Sequence, residues 1–343
     1  MMNNTKARLT LAFKVLRSGA LTGRPRREVP PIIPHEVAEA KAFFPLEKFF
    51  LFGHARSGTT LLARLLRLHS QVHCNWQAHF FTRPPLLEAF VADDEVGAWL
   101  SRRSNRWNSG RDLSPLVLRA AADFIMEREA RQLGKSIVGD KSPSSLLHGE
   151  SVRLLHKVYP DARLLYIIRD GRDTVLSHRF QAFVEWPERL PREERRIRED
   201  FASNPQAYLR GERSLFTEKA MRLAAAAWVQ NVTETEQTGR ELFGERYLSL
   251  RYEDLLAQPW RETLRLWAFL GATEPGADVQ DAMTAELNQN LDAEWQQQKA
   301  GEIAGALQKG KRGSWREVFT ERDKRLFDDI AGETLLLWGY RLE

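Results

Sequence analysis

The sequence predicts an α/β protein with a central parallel β-sheet flanked by helices on both faces. Short β-type runs alternate with helical patterns from Lys48 to near the C-terminus, the order expected of strand–helix units in a parallel sheet. The run Leu164–Ile168 (LLYII) is apolar without alternation, which suits a strand covered on both sides. Two runs, ending at Gly53 and Ile168, open through short loops into helical patterns. No internal repeat is visible.

Residues 1–45 read as a basic lead-in punctuated by Pro25, Pro30, Pro31 and Pro34. They are expected to form a loosely ordered arm. A second reading makes Lys6 to Leu21 a basic amphipathic helix in weak contact with a membrane surface. The main domain then spans 46–343. Its strands are expected at Phe49–Phe52, Val72–Cys74, Ile137–Val138, Leu164–Ile168 and Tyr247–Leu250. Helical patterns fall between them at Thr59–Leu68, Leu116–Leu133, Gly149–Val158, Thr174–Phe183, Glu218–Leu242 and Trp260–Leu270. The segment 183–216 stands apart, crowded with charge and holding Pro187, Pro191 and Pro205. It reads either as a lid or acceptor-binding insertion or as a solvated helical excursion.

Composition narrows the class. A hydrophobic share of 43% supplies an ordinary globular core. Fifty-one Lys and Arg against forty-six Asp and Glu leave +5, an excess that favours an anionic ligand without singling out nucleic acid, which is not expected as a partner. Cys74 is the single cysteine, so no disulfide forms within the chain, and no apolar run approaches the roughly 20 residues of a membrane span. The N-terminus lacks the pattern of a signal peptide. Together these point to the cytoplasm.

The stretch from Lys48, KFFLFGHARSGTTLLARLLRLHS, is the most informative. A strand ends at Gly53, a small-residue loop follows, and a helix begins near Thr59. Amide groups at such a helix start are unpaired and attract an anion, with help from the helix dipole. Gly58 permits close backbone approach, and Thr59 and Thr60 add hydroxyls. The G-x-x-x-x-G spacing matches a nucleotide-triphosphate P-loop, yet Thr59 stands where that loop needs Lys, and the cation, Arg56, lies inside the loop. No acidic partner for Mg²⁺ is evident either. One cation and backbone donors suffice to stabilise charge developing on the bridging oxygen of a sulfuryl donor.

G-H-A-R-S-G-T-T-L-L resembles the 5′-phosphosulfate loop of sulfotransferases, and most closely that of the tyrosylprotein branch. The resemblance implies a P-loop-like sulfotransferase fold. It also implies 3′-phosphoadenosine 5′-phosphosulfate (PAPS) as co-substrate, with no metal. Arg56 is implied at the bridging oxygen, and Ser57, Gly58, Thr59 and Thr60 at the 5′-phosphate.

A second junction, RLLYIIRDGRDTVLSHRF, puts Arg169 just after a strand and Ser177 eight residues later, one turn into a helix that Asp173 or Thr174 can cap. A guanidinium fork and a hydroxyl converging there make a phosphate site. Arg172 is read as structural, paired with Asp170 or Asp173. The string resembles the 3′-phosphate motif of sulfotransferases, which assigns Arg169 and Ser177 to that phosphate. A third element, QKGKRGSWREVFT, is a basic glycine loop able to wrap an anion. It is similar to the late glycine element of cytosolic sulfotransferases, matching at Lys309, Gly310, Gly313, Trp315, Phe319 and Thr320, with Gln308 in place of the family's Arg. VGDKSP places Lys141 at a strand end, and the resemblance brings this lysine to the transferring group. By the same resemblance Tyr252, in LSLRYEDLLAQP, contacts the nucleotide. The stretches 80–135 and 183–245 carry no such likeness, and acceptor specificity is expected there.

In-line transfer needs a base beside the acceptor. The tyrosylprotein branch carries a Glu twenty-one residues after the loop Arg, but this chain has Gln77. His79 is the preferred base, His54 the runner-up, and His73 a further neighbour. His69 and His73 lack a third ligand at metal-binding spacing. Trp76 reads as a core residue, with lining of the pocket as the alternative, and Cys74 as a small buried hydrophobe. The expected activity is sulfuryl transfer from PAPS to a hydroxyl or amine of an acceptor (carbohydrate, lipid, small molecule or peptide). The rival readings are a P-loop kinase using Mg·ATP and a non-catalytic nucleotide-binding scaffold.

Overall fold

The computed structural model describes residues 28–82, 91, 93–276, 278–288 and 313–342. Lys6–Leu21 and the loop residues Gln308, Lys309 and Gly310 lie outside them. Helix α1 (Pro34–Phe43) precedes strand β1 (Glu47–Gly53), which feeds helix α2 (Thr59–Arg67) and strand β2 (Val72–Trp76). Helices α3 (Asp94–Ser101) and α4 (Ser114–Gln132) lead to β3 (Ile137–Lys141), α5 (Gly149–Val158) and β4 (Arg163–Ile168). Helices α6 (Gly171–Glu185), α7 (Arg192–Ser203), α8 (Pro205–Leu209) and α9 (Glu218–Phe243) come before β5 (Tyr247–Arg251). Helices α10 (Tyr252–Ala257), α11 (Pro259–Leu270), α12 (Val279–Asn288), α13 (Trp315–Val318) and α14 (Glu321–Leu337) follow.

The five strands pair in parallel in the order β2-β3-β1-β4-β5. The chain leaves β1 for the far edge, steps back to β3, and then crosses β1 to reach β4. The order therefore reverses at β1, and open parallel sheets bind ligands beside such a point, at the carboxyl ends of the strands. Leu51 lies opposite both Lys141 and Leu165, and Gly53 opposite Ile167. The loop with Arg56, the end of β3 at Lys141 and the residue after β4, Arg169, thus share one rim.

Both faces of the sheet are covered, as the unbroken apolar strands require. Leu164, Tyr166 and Ile168 of β4 enter one core with Val152, Trp228 and Phe327, while Leu165 and Ile167 enter the other with Leu62, Leu66 and Trp267. Each fully buried side chain of this kind contributes about 1.5–3 kcal/mol. β3 continues past Val138 through Asp140 and Lys141, because ladder pairing with β1 and β2 carries polar residues along.

Three local expectations change. Residues 28–45, read as part of the arm, are packed where described: Val29 and Ile32 are buried, and the Ile32 amide donates to the Lys157 carbonyl at 2.7 Å. Pro34 is the first residue of α1, a position that suits its fixed φ. Helix α6 begins at Gly171, not Thr174, because Asp170 rather than Asp173 or Thr174 accepts the Arg172 amide, at 2.9 Å. The charged segment 183–216 is anchored in the core through buried Phe183, Phe201, Tyr208 and Phe216. Phe201 is fully buried, with ring centroids 5.8 Å from Phe180 and 5.7 Å from Tyr208. An Arg179–Glu194 ion pair fastens α7 to α6. Among the described residues no helix is long and apolar enough to cross a membrane.

Candidate active site

The loop after β1 is tight. Arg56 takes a left-handed φ of 75°, a conformation that a non-glycine residue holds at a cost of about 1–3 kcal/mol and only where its surroundings fix it. Gly58, at φ 90°, caps α2 without a side-chain hydrogen bond, which leaves the first amides of the helix for a ligand. A Cβ on Gly58 would lie 2.2 Å from the Tyr252 ring, so the glycine serves close packing against Tyr252 as well as approach to an anion. Thr59 is buried with its methyl against Gly53, whereas Thr60 is exposed at the rim. Ser57 Oγ is buried and has no hydrogen-bond partner among the described residues. An orphaned hydroxyl beside uncapped amides fits a phosphate oxygen.

The residues singled out in distant parts of the chain meet here. Arg56 Nε donates to Ser177 Oγ at 3.1 Å, and Arg169 Nη1 donates to the Arg56 carbonyl at 3.2 Å. Ser177, grouped with Arg169 on sequence, is thus bonded to Arg56. The Arg169 guanidinium lies 5.1 Å from the centre of the Tyr252 ring, which binds β5's exit to both loops. Lys141 Nζ donates to Thr60 Oγ1 at 3.3 Å and stands 4.9 Å from the centre of the Trp76 ring. Burial lowers the Lys141 pKa to about 8, with Arg56 pushing the same way and Cys74 and Asp140 opposing.

The C-terminal element reaches this site through Asp173. Its carboxylate accepts the amides of Gly313 at 2.7 Å and Trp315 at 3.2 Å, and lies 3.9 Å from Arg169 Nη2. Burial raises the Asp173 pKa, while Arg169 and the Gly313 amide oppose it. Arg172 is paired twice with Asp170, at 3.0 and 2.9 Å, and stacks 3.7 Å over Trp315. Sequence reading had Asp173 as a cap or as a partner of Arg172, and no local signal reveals an acceptor for amides 140 residues away.

The histidines separate. His79 has its amide on Ser142 Oγ at 2.9 Å and Nδ1 2.9 Å from Thr82 Oγ1, in a turn where Gln77 and His79 both have positive φ, near 53° and 52°. Asp140, which sequence reading missed, braces that turn: Oδ1 accepts the Ala78 amide at 3.1 Å and Oδ2 accepts the Ser142 hydroxyl. Burial raises the Asp140 pKa to about 6. His54 is buried with Nδ1 2.7 Å from its neighbour's carbonyl, and burial lowers its pKa to about 4, with His178 contributing. His178 packs edge-on to it at 6.2 Å, and burial lowers its pKa, with Arg179 and Arg56 pushing the same way. His73 is buried within β2, and burial lowers its pKa. His69 is occupied by the Thr273 carbonyl and the Gln71 amide. Trp76 is not a core residue. It is 46% exposed and lies over Arg67 and Lys141, because β2 ends there at the rim. Cys74 is fully buried and its thiol pKa is pushed up by burial.

A family model described as the sulfotransferase family matches residues 48–275, from β1 to just beyond α11. The chain belongs to the sulfotransferase family. The matched span contains Arg56, Lys141, Arg169, Ser177 and Tyr252, and stops short of Gly313 and Trp315. Protein-tyrosine sulfotransferase A of Caenorhabditis elegans is 29% identical over 132 residues, 37% of this chain and 32% of that protein. The chain thus spans about a third of the length of the curated relative it matches. Among solved structures, mouse sulfotransferase SULT7A1 complexed with PAP aligns at a TM-score of 0.46 and 15% identity over 88% of this chain and 89% of that one. The sulfotransferase domain of the Synechococcus PCC 7002 olefin synthase aligns at 0.46 and 15% identity, covering 94% of this chain and 100% of the other.

Proposed function

We propose that this member of the sulfotransferase family transfers a sulfuryl group from PAPS to an acceptor hydroxyl or amine, in line and without a metal ion. One observation carries the reading. The two strand-to-helix junctions opened by Arg56 and Arg169 meet at one rim of the sheet, linked by the 3.2 Å bond from Arg169 to the Arg56 carbonyl. Two guanidinium groups, the Lys141 ammonium, the Ser57 hydroxyl and the uncapped start of α2 give this rim the donors that a doubly phosphorylated nucleotide needs.

The bound donor supplies a sulfuryl group whose bridging oxygen gains negative charge as the bond to sulfur breaks. Arg56 and Lys141 are suited to hold that charge, and Ser57, Gly58, Thr59 and Thr60 to hold the 5′-phosphate. Arg169, Ser177 and the element from Lys309 and Gly310 to Trp315 suit the 3′-phosphate, with Asp173 keeping Gly313 and Trp315 in place. Tyr252 braces Gly58 and Arg169 from below. His79 takes the acceptor's proton, positioned by Ser142 and Thr82. A protein tyrosine, the acceptor in the name of the Caenorhabditis elegans relative, is one member of the hydroxyl class. The single cysteine supports a reducing compartment such as the cytoplasm. The segment 183–216 is suited to shape the acceptor side.

Thermal denaturation tests the reading. Adenosine 3′,5′-bisphosphate at a hundred times its dissociation constant adds about 2.7 kcal/mol of stability. The melting temperature rises in the presence of a chelator, and Mg·ATP leaves it unchanged. Stabilisation by Mg·ATP alone overturns the proposal in favour of a kinase. Stabilisation by the bisphosphate with no labelled product from sulfur-labelled donor and cell extract overturns it in favour of a binding scaffold.

A further inference from the structure

The turn between α3 and α4 carries an aromatic pair that the proposed transfer does not use. Trp99 of α3 and Trp107 stack with ring centroids 4.7 Å apart and 30° between planes. They are 58% and 50% exposed. Clustered indoles left in water mark a surface that something covers. The pair sits on a built turn. Buried Asn108 donates through Nδ2 to the carbonyls of Leu100 and Arg102 and accepts the Gly110 amide. Asn105 donates to the Trp99 carbonyl at 3.1 Å, and Ser109 and Gly110 both hold positive φ, 52° and 72°. An aromatic surface fixed beforehand loses little conformational entropy when it binds.

From Trp99 through the turn the charge has one sign, with Asp94 and Glu95 one helical turn earlier in α3. Trp99 to Arg111 contains four arginines and no carboxylate. Arg111 is taken by Glu36 at 3.3 Å, while Arg102, Arg103 and Arg106 are exposed and make no ion pair among the described residues. Of the flanking carboxylates, Asp93 accepts the Glu95 and Val96 amides and Asp112 accepts the amide and hydroxyl of Ser114, while Glu95 is exposed one helical turn before Trp99. The rest of the turn is Ser and Asn, with Gly110.

We propose that this platform binds an acidic oligosaccharide, with a pyranose ring laid on an outer indole face and its carboxylate or sulfate on Arg102, Arg103 and Arg106. A bilayer is the poorer fit. Membrane-seated surfaces join aromatic to aliphatic side chains that enter the hydrocarbon, and the one aliphatic residue of this turn, Leu100, is buried. A nucleic-acid strand is also poorer, because it is tracked by a basic groove several nucleotides long, whereas these cations sit on a single turn.

Calorimetric titration of the full chain with hyaluronan, galacturonate and heparin hexasaccharides tests the inference. Maltohexaose, oligothymidylate and phosphatidylserine vesicles serve as the comparison arms. At least one acidic hexasaccharide binds and maltohexaose does not. Trp107→Ala weakens binding about tenfold, a usual loss for an exposed aromatic anchor. Trp107→Phe retains most of the affinity. Combined replacement of Arg102, Arg103 and Arg106 by Gln weakens it similarly and flattens its salt dependence. Melting temperatures stay at the wild-type value in all variants, because the altered side chains are exposed. The inference is overturned if no acidic sugar binds, if Trp107→Ala binds as well as wild type, or if vesicles or oligothymidylate show the Trp107 dependence instead. None of these arms requires sulfuryl transfer, so the platform stands or falls independently of the reaction.

Discussion

Lys141 links the geometry of the site to a pH profile. Its ammonium is almost wholly buried at the end of β3, 3.3 Å from Thr60 Oγ1, and burial brings its pKa to about 8. If the protonated form meets the transferring group, its share in the free enzyme falls from about nine-tenths at pH 7 to about one-tenth at pH 9, so kcat/KM drops about tenfold over that range. Lys141→Arg keeps its charge throughout and removes the alkaline limb. Lys141→Met lowers the rate by about 10²–10³ and leaves a residual rate that is flat across the same window. The assay is release of adenosine 3′,5′-bisphosphate from PAPS at subsaturating donor, with the acceptor identified by sulfur labelling. Stability supplies an independent check of sign. Between pH 8 and the ordinary lysine value of 10.5 the folded chain holds fewer protons at Lys141 than the unfolded chain, so stability rises with pH across that window. Lys141→Met is therefore more stable than wild type below pH 8, and the advantage fades as pH approaches 10.5. A flat wild-type profile from pH 7 to 9, or an alkaline limb that survives in Lys141→Arg, refutes the role given to this lysine.

Arg56→Ala lowers turnover by about 10²–10³ but shifts the bisphosphate dissociation constant by less than about tenfold, since the Arg56 carbonyl that holds Arg169 remains. Calorimetry and turnover together check this, and near wild-type turnover removes Arg56 from the mechanism. Gly58→Ala forces a Cβ to 2.2 Å from the Tyr252 ring at a left-handed φ and lowers stability by about 2–4 kcal/mol. Adding Tyr252→Ala recovers part of that loss, and strict additivity in denaturant titrations contradicts the packing argument. Asp173→Ala leaves the Gly313 and Trp315 amides without their acceptor, lowers stability by about 1–3 kcal/mol and weakens bisphosphate binding. Hydrogen exchange at those two amides rises in this variant, and unchanged protection shows that another group holds the C-terminal element.

Periodicity and loop chemistry made the sheet legible. All five strands overlap the short apolar runs, because a parallel strand covered on both faces favours apolar side chains, while β3 runs on into buried Asp140 and Lys141 through its ladder pairing. The helices between them follow from leucine and alanine spacing, with ends that move by a few residues where a cap such as Asp170 lies outside the apolar pattern. The packing of residues 28–45 was not legible, since Val29 and Ile32 sit among prolines and show no period. Segment 183–216 misled in the other direction. Its charges are conspicuous in the sequence, while the buried rings of Phe183, Phe201, Tyr208 and Phe216 anchor it.

By itself the sequence determined which groups can bind an anion. A glycine-bearing strand-to-helix turn with an internal arginine has its chemistry written locally, in amide directions and side-chain type, and so does the junction at Arg169. Tertiary structure decided which of these groups act together. Arg56 and Ser177 lie 121 residues apart and touch only because β1 and β4 are neighbours in the sheet. Asp173 meets Gly313 only because α6 and the segment before α13 converge on the same rim. The proton affinities of Lys141 and His54 were likewise out of reach, because desolvation depends on what the folded chain places around a group rather than on its neighbours in sequence.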